Sequence, residues 1–263
     1  MIALGFALAV LSAVGIGGGY ALQHTTASRL PKLELRRPLR SLASLFRSRR
    51  WALGFFGGIA GWALYVEALR LAPLSLVQAA SAGGIGLLAF GGGRLRPSER
   101  IGVAAALAGL VLLAVSLGAH APTSRGDVVP VAVWIAASLA VAGALARLAP
   151  GAAGLGTAAG LLYAAGDVGT KAAVGGGGRL LFVPVLLACH GLAFVCMQLA
   201  FQRGGRLASA GLTVLWTNAV PIAAGMALFA EALPGGLRGG LRVAAFALVL
   251  LGAVALSRRV QYD

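Results

Sequence analysis

Two ionisable residues, Asp167 and Lys171, stand inside an otherwise apolar stretch of the chain. They are four positions apart, so a helix would place them on one face, where they can form an ion pair. Ionisable groups are costly inside a lipid bilayer and usually mark functional sites there. We predict a polar site at Asp167. The pair either lines a cavity that opens on substrate binding or protonation, or is structural, with Lys171 extending toward the membrane surface.

Uncharged polar residues in neighbouring apolar runs are candidates for the same site. His190, Gln198 and Gln202 would form one broad polar face of a helix, which either packs on another helix or lines a cavity. Further candidates precede two points where a helix could break and expose its backbone to a substrate, at Gly83-Gly84 and Pro221. These candidates are Gln78, Ser81, Thr213, Trp216, Thr217 and Asn218.

Glu67 and Glu231 lie near the ends of two apolar runs. Together with Asp167 they would give an outer vestibule a negative charge suited to cations. The alternative is that they are interfacial carboxylates paired with Arg70 or Arg238. The sequence has no metal-ligand cluster, nucleophile elbow or phosphate-binding loop, so we predict neither an enzyme nor a bound cofactor or metal.

The composition is that of a membrane protein. Of 263 residues, 59% are hydrophobic and 11% are charged, whereas about 25% are charged in ordinary soluble domains. A soluble enzyme, a coiled coil and a disordered chain are therefore excluded. Lys and Arg outnumber Asp and Glu by 22 to 7. Because these cations are not interleaved with stacking aromatics on a polar surface, we predict the lipid bilayer and no nucleic acid as a partner.

Apolar runs of membrane-spanning length predict nine transmembrane helices, or ten if a span broken at Gly83-Gly84 or Pro221 counts twice. With the N-terminus outside and the C-terminus cytoplasmic, 16 of the 22 basic residues fall inside, as the positive-inside rule requires. The long basic segment 23–50 is then cytoplasmic, and the protein is multi-pass in the plasma membrane. The predicted spans are Ile2–Leu22, Trp51–Leu69, Leu71–Gly92, Ile101–Gly118, Val128–Leu148, Leu155–Val174, Leu180–Phe201, Leu207–Leu233 and Leu241–Ser257.

An internal repeat gives these spans an order. Gly84, Arg94 and Pro97 recur 137 positions later as Pro221, Glu231 and Pro234. Gly15, Gly18 and Tyr20 recur 151 positions later as Gly166, Gly169 and Lys171. We predict an all-α integral membrane fold of two four-helix repeats, 1–118 and 155–257, with 128–148 as a linker helix. An odd linker inverts the second repeat, which is typical of secondary transporters.

The chain resembles the drug/metabolite transporter superfamily, including EamA-type domains, and within it the nine-span NIPA-like magnesium transporters. The residues that carry this resemblance are Trp51–Gly54, Glu67–Val77, Leu162-Tyr163, Gly166, Gly169, Lys171, Gln198, Val220-Pro221 and Phe229–Glu231. The chain has Gly61-Trp62 where the magnesium-transporting relatives have an acidic residue. The resemblance implies a transporter fold without specifying a substrate.

Together, these features predict a transporter that moves a small organic solute or cation by alternating access. Three alternatives remain: a NIPA-like magnesium or divalent-cation transporter, a translocator of lipid-linked metabolites, and a non-transporting membrane scaffold. A homodimer is compatible with each of them.

Overall fold

The structure, a computed structural model, describes residues 1–27, 45–90, 97–116, 124–203 and 212–257. In these ranges the chain is almost entirely helical, without a β-strand. A 3-10 helix, Gly177–Leu181, precedes the seventh of the nine long α-helices that lie within these ranges. In chain order these are α1 Ile2–Ala27, α2 Arg49–Leu71, α3 Leu74–Phe90, α4 Pro97–Val115, α5 Val128–Leu148, α6 Ala152–Val174, α7 Phe182–Arg203, α8 Leu212–Leu228 and α9 Gly236–Ser257.

The two helices that were predicted to allow a break are continuous. Helix α3 runs through Gly83-Gly84, and α8 runs through Pro221. The ten-span alternative is therefore wrong. A proline inside a helix removes one main-chain hydrogen bond, which can bend the helix without ending it. Helix α1 continues to Ala27, into the predicted loop 23–50, and most of that loop lies outside the described residues.

Within the described residues, four stretches are long and apolar enough to cross a membrane: Ile2–Gly19, Arg49–Leu71, Val128–Leu148 and Gly177–Arg203. Two further apolar helical stretches, Arg100–Leu113 and Leu212–Leu228, are shorter. Large apolar side chains, among them Leu53, Phe56 and Val133, are exposed on the outside of the bundle. An apolar exterior is compatible with contact to lipid. The prediction of an all-α fold is confirmed for the described residues.

Glycine accounts for the closest helix contacts. A Cβ atom at Gly54 of α2 would lie 2.6 Å from the Gly19 carbonyl oxygen of α1. One at Gly61 would lie 3.1 Å from the Ser12 carbonyl oxygen. Small residues let helix backbones approach this closely in membranes, where packing replaces the hydrophobic effect between helices.

Helix α6 is the central helix of the second half and packs against α2, α5, α7 and α8. Its residues from Leu162 to Thr170 are all buried, and most of its side chains are Ala or Gly. The Thr213 hydroxyl of α8 donates to the Gly156 carbonyl of α6 at 2.9 Å. A Cβ atom at Gly160 would lie 2.7 Å from the Thr213 carbonyl oxygen. Neighbouring helices therefore reach Asp167 at short range.

A proline corner joins α2 to α3 and aligns polar residues on the two helices. The residue before a proline is driven out of the helical region, and Ala72 before Pro73 is extended, with φ −142° and ψ 158°. Helix α2 therefore ends at Leu71, and α3 begins at Leu74. This hairpin brings Tyr65 of α2 opposite Gln78 of α3, whose amide nitrogen donates a hydrogen bond to the Tyr65 hydroxyl.

Candidate functional site

Four polar side chains from four helices meet inside the bundle, and we call them the central polar cluster: Tyr65, Gln78, Asp167 and His190. Gln78 Nε2, which also donates to Tyr65, donates to Asp167 Oδ2 at 2.8 Å. The other oxygen, Asp167 Oδ1, lies 3.5 Å from His190 Nε2. Gln78 is 1% exposed and Asp167 is 5% exposed, so these groups depend on one another rather than on water to satisfy their polarity.

The His190 ring is oriented from its other nitrogen. Nδ1 lies 2.8 Å from the Leu186 carbonyl oxygen on the preceding turn of α7. Two aromatic rings meet the imidazole edge-on, with centroids 5.8 Å away at Trp62 and 5.7 Å away at Tyr163. The imidazole therefore sits in an aromatic frame, with Nε2 directed at the carboxylate.

Gly166, next to Asp167, leaves the space that the His190 ring occupies. A Cβ atom at Gly166 would overlap Nδ1 and Cε1 of that ring. A glycine in a helix interior costs roughly 0.5–1 kcal/mol relative to alanine, so close packing explains its presence here. The match between Gly15 and Gly166 in the sequence located this residue but did not indicate its role.

Gly166→Ala is expected to lower the free energy of unfolding by about 1–3 kcal/mol, because overpacking outweighs the gain in helix propensity. Gly191→Ala is the matched control, since a Cβ atom there meets nothing within 4 Å although it adjoins His190. Thermal unfolding of both variants in detergent checks this, and equal melting temperatures would contradict it.

Lys171 does not pair with Asp167 as predicted. Its Nζ donates to the carbonyl oxygens of Leu69 and Ala72, both at 2.9 Å, at the carboxyl end of α2. The last carbonyls of a helix have no partner within the helix and carry a partial negative charge, so they attract a cation. Asp167 is satisfied by Gln78 and His190 instead.

Glu231 binds the opposite side of the same corner. Its carboxylate accepts hydrogen bonds from the main-chain N–H groups of Leu74 at 2.6 Å and Ser75 at 2.8 Å. These are among the first amides of α3, which lack partners within the helix. The side chain is 5% exposed. Glu231 therefore caps a helix of the first half rather than lining an open vestibule or pairing with Arg238.

Glu67 forms a surface ion pair with Arg70, which is the alternative to an outer vestibule. Its carboxylate lies 3.4 Å from Arg70 Nη1, three positions on, and both side chains are at least half exposed. An exposed pair of this kind contributes little to stability. The two carboxylates that the sequence grouped together therefore have unrelated environments.

Arg242 of α9 is a buried cation that the sequence reading missed. Its Nη2 donates to the Ser116 carbonyl oxygen at 2.8 Å, and its Nε donates to the Ser116 hydroxyl at 3.2 Å, just beyond the end of α4. It is 3% exposed. The available signal was an arginine within the predicted apolar span Leu241–Ser257.

The other predicted residues do not reach the cluster. Gln198 donates to Gln23 of α1 at 3.1 Å, and Gln202, on the same helix, is half-buried and has its own contacts. Asn218 donates to the Val214 carbonyl of its own helix at 2.7 Å. Trp216 is half-buried and packs on α6 at Gly160. Missed members of the site are Tyr65, Trp62 and Tyr163.

The cluster has the chemistry to hold a proton or a small cation: a carboxylate, an imidazole, an amide and a phenol. The described ranges contain no group of three or more His, Cys, Asp or Glu residues suited to a metal ion. The chain matches no family model, and no curated protein or solved structure is significantly similar to it.

Proposed function

We propose that the protein is a multi-pass membrane transporter that moves a small organic solute or cation by alternating access. Two inverted repeats, α1–α4 and α6–α9, exchange conformations around the central polar cluster, and α5 links them. In this arrangement the N-terminus is outside, the C-terminus is cytoplasmic, and the membrane is the plasma membrane. Inverted repeats suit this task because each half can adopt the conformation of the other.

The observation that carries the proposal is a reciprocal contact between α4 and α9. A Cβ atom added at Gly109 of α4 would meet Ala245 and Val249 of α9. A Cβ atom added at Gly252 of α9 would meet Gly102 and Ala106 of α4. Each of these α9 residues follows its α4 counterpart by 143 positions, Gly102 to Ala245, Ala106 to Val249 and Gly109 to Gly252. Such reciprocity is expected of antiparallel helices related by a two-fold axis in the membrane plane.

Other helix contacts support the same relation. The pairs α1–α2 and α1–α3 in the first half correspond to α6–α7 and α6–α8 in the second. The contact of α2 with α6 corresponds to that of α7 with α1, and α3 packs against its own counterpart, α8. The correspondence is incomplete, because α9 packs on α3 more extensively than α4 packs on α8. Such asymmetry is expected of a carrier caught in one of its two states.

The polar contacts suggest where the halves separate. At the predicted outer end, Lys171 and Glu231 of the second half hold the α2–α3 corner of the first. Toward the predicted inner end, Gln198 of the second half meets Gln23 of the first. The cluster around Asp167 lies between these contacts. Opening to the outside would release the corner, and opening to the inside would separate the two glutamines.

Spin-label distances would test alternating access without a known substrate. After replacement of Cys189 and Cys196 by alanine, labels at exposed Arg70 and Leu180 report the outer end, and labels at Arg50 and Arg203 report the inner end. We expect two distances for each pair. Lys171→Met, which frees the corner, is expected to favour the longer outer distance and the shorter inner distance.

A control pair lies within one repeat, at exposed Leu11 of α1 and Leu53 of α2. These helices pack closely against each other at glycine positions, so their labels should give one distance in every condition. One unchanged distance at both ends of the molecule, with or without Lys171→Met, would overturn the transporter proposal and favour a static scaffold.

A further inference from the structure

We propose that Asp167 and His190 form a proton-binding site that takes up one proton between the carboxylate and the imidazole, so that protons are the coupling ion of this transporter. The role of protons as the coupling ion rests on the proposed transporter function. The proton site itself follows from the geometry of the cluster and can be tested separately.

The hydrogen bond to Leu186 fixes which nitrogen of His190 carries a hydrogen. A carbonyl oxygen only accepts hydrogen bonds, so Nδ1, 2.8 Å from the Leu186 oxygen, must be the donor. In a neutral imidazole Nε2 then has a lone pair, and this lone pair points at Asp167 Oδ1, 3.5 Å away. Two acceptors facing each other repel unless a proton lies between them.

Charge balance inside the bundle gives the same result. With one shared proton the pair is neutral overall, either as carboxylate and imidazolium or as carboxylic acid and imidazole. Without that proton it carries a net negative charge in a buried site. A buried uncompensated charge is costly, so loss of the proton favours entry of another cation or of water.

Few other titratable groups face this pair. Tyr163 of α6 meets the imidazole edge-on, and Tyr65 of α2 shares the Gln78 amide with Asp167. Lys171 lies one turn away but is bound to the corner. Glu67 and Arg70 form an exposed pair at the end of α2, and Glu231 caps α3.

The sequences of the other packed helices add little. Helices α3 and α8 contain no titratable residue, and α5 has only Arg147 near its far end. Helix α1 has Tyr20 and His24 in its last two turns. A titration localised at Trp62, which meets the imidazole edge-on, therefore reports His190.

The test is a pH titration of tryptophan fluorescence on the purified full-length protein in nanodiscs, between about pH 5 and pH 8. An imidazolium quenches a neighbouring indole, and Trp62 lies 5.8 Å from His190 between ring centroids. We expect acidification to quench the wild-type emission in a single one-proton step. The step should be absent in Trp62→Phe and in His190→Gln.

Asp167→Asn identifies the partner of the histidine. The substitution keeps the shape of the side chain but removes the negative charge that favours an imidazolium. We expect the midpoint of the step to move to lower pH by about one unit, a tenfold change in proton affinity. A step that persists in His190→Gln, or a midpoint that Asp167→Asn leaves in place, would overturn the proposal.

A second measurement keeps His190 intact in case its substitution prevents folding. With His24 and His120 replaced by glutamine, His190 is the only histidine. Nitrogen NMR should show hydrogen on Nδ1 throughout the pH range and on Nε2 only at the acidic end. A Nδ1 that loses its hydrogen first would contradict the inference.

The two proposals can fail independently. A one-proton step with a single spin-label distance at both ends would mean a proton site in a protein that does not alternate. Two distances at each end without the step would mean a carrier coupled to another ion or to none.

Discussion

Asp167→Asn is expected to lower proton-driven solute accumulation strongly while leaving solute exchange across the membrane. The asparagine oxygen can still accept from Gln78, and its amide can donate to a neutral His190, so the cluster keeps its shape. What is lost is the shared proton between Asp167 and His190. We expect accumulation to fall about 10- to 100-fold, the factor that corresponds to about 1.5–3 kcal/mol for a charged hydrogen bond.

Proteoliposomes with an imposed pH gradient give the measurement. Solid-supported membrane electrophysiology with amino acids, quaternary ammonium compounds and nucleosides as probes selects a solute that the wild type transports. Asp127→Asn is the matched control, because Asp127 is exposed at the start of α5 and its side chain makes no capping hydrogen bond. If Asp167→Asn accumulated solute as fast as this control, Asp167 would have no part in the mechanism.

Glu231→Gln is expected to lower the free energy of unfolding by about 2–3 kcal/mol. The carboxylate accepts from two main-chain N–H groups, of Leu74 and Ser75. A glutamine can offer its one oxygen to only one of them, and its own N–H groups then oppose the other. The site is buried, so water cannot replace the lost partner.

Glu67→Gln makes the same chemical change at an exposed position, where the carboxylate pairs with Arg70 at 3.4 Å. Its expected cost is about 0–0.5 kcal/mol. Unfolding of both variants in detergent, followed by circular dichroism, compares the two directly. Equal stabilities would mean that Glu231 does not hold the corner.

The buried charges of this protein are divided between two tasks. Lys171, Glu231 and Arg242 bind the free carbonyl and amide groups at the ends of α2, α3 and α4. A charge near a helix end compensates the dipole and the unpaired groups there. Asp167 and His190 face no helix end and bind each other instead. This difference supports the proposal that the second pair is the functional site.

Much of the architecture could be predicted from the sequence. Long apolar runs with few charges leave the helix as the structure that satisfies their backbone, and each of the nine predicted spans overlaps a long helix in the described part of the chain. Asp167 was identified for a similar reason, since a carboxylate in an apolar helix needs a partner. Gln78 and His190 were among the predicted residues, and both contact it.

The partners of these charges could not be predicted. Spacing along one helix suggested Lys171 for Asp167 because residues four apart share a face. Local spacing cannot show that the corner at Pro73 brings two free carbonyls to the lysine. Tyr65 and Trp62 were missed for the same reason, since nothing in α2 alone distinguishes an aromatic that faces lipid from one that meets α6 or α7.

Composition and apolar pattern alone predict a helical membrane protein with a polar residue at position 167 that requires a partner. These properties depend on composition and on the cost of unpaired polar groups, which are local to each helix. That the partner is His190, and that Lys171 and Glu231 bind the corner, follows from the packing of the helices. Such pairs join residues 23 to 157 positions apart, and their choice depends on how the helices pack.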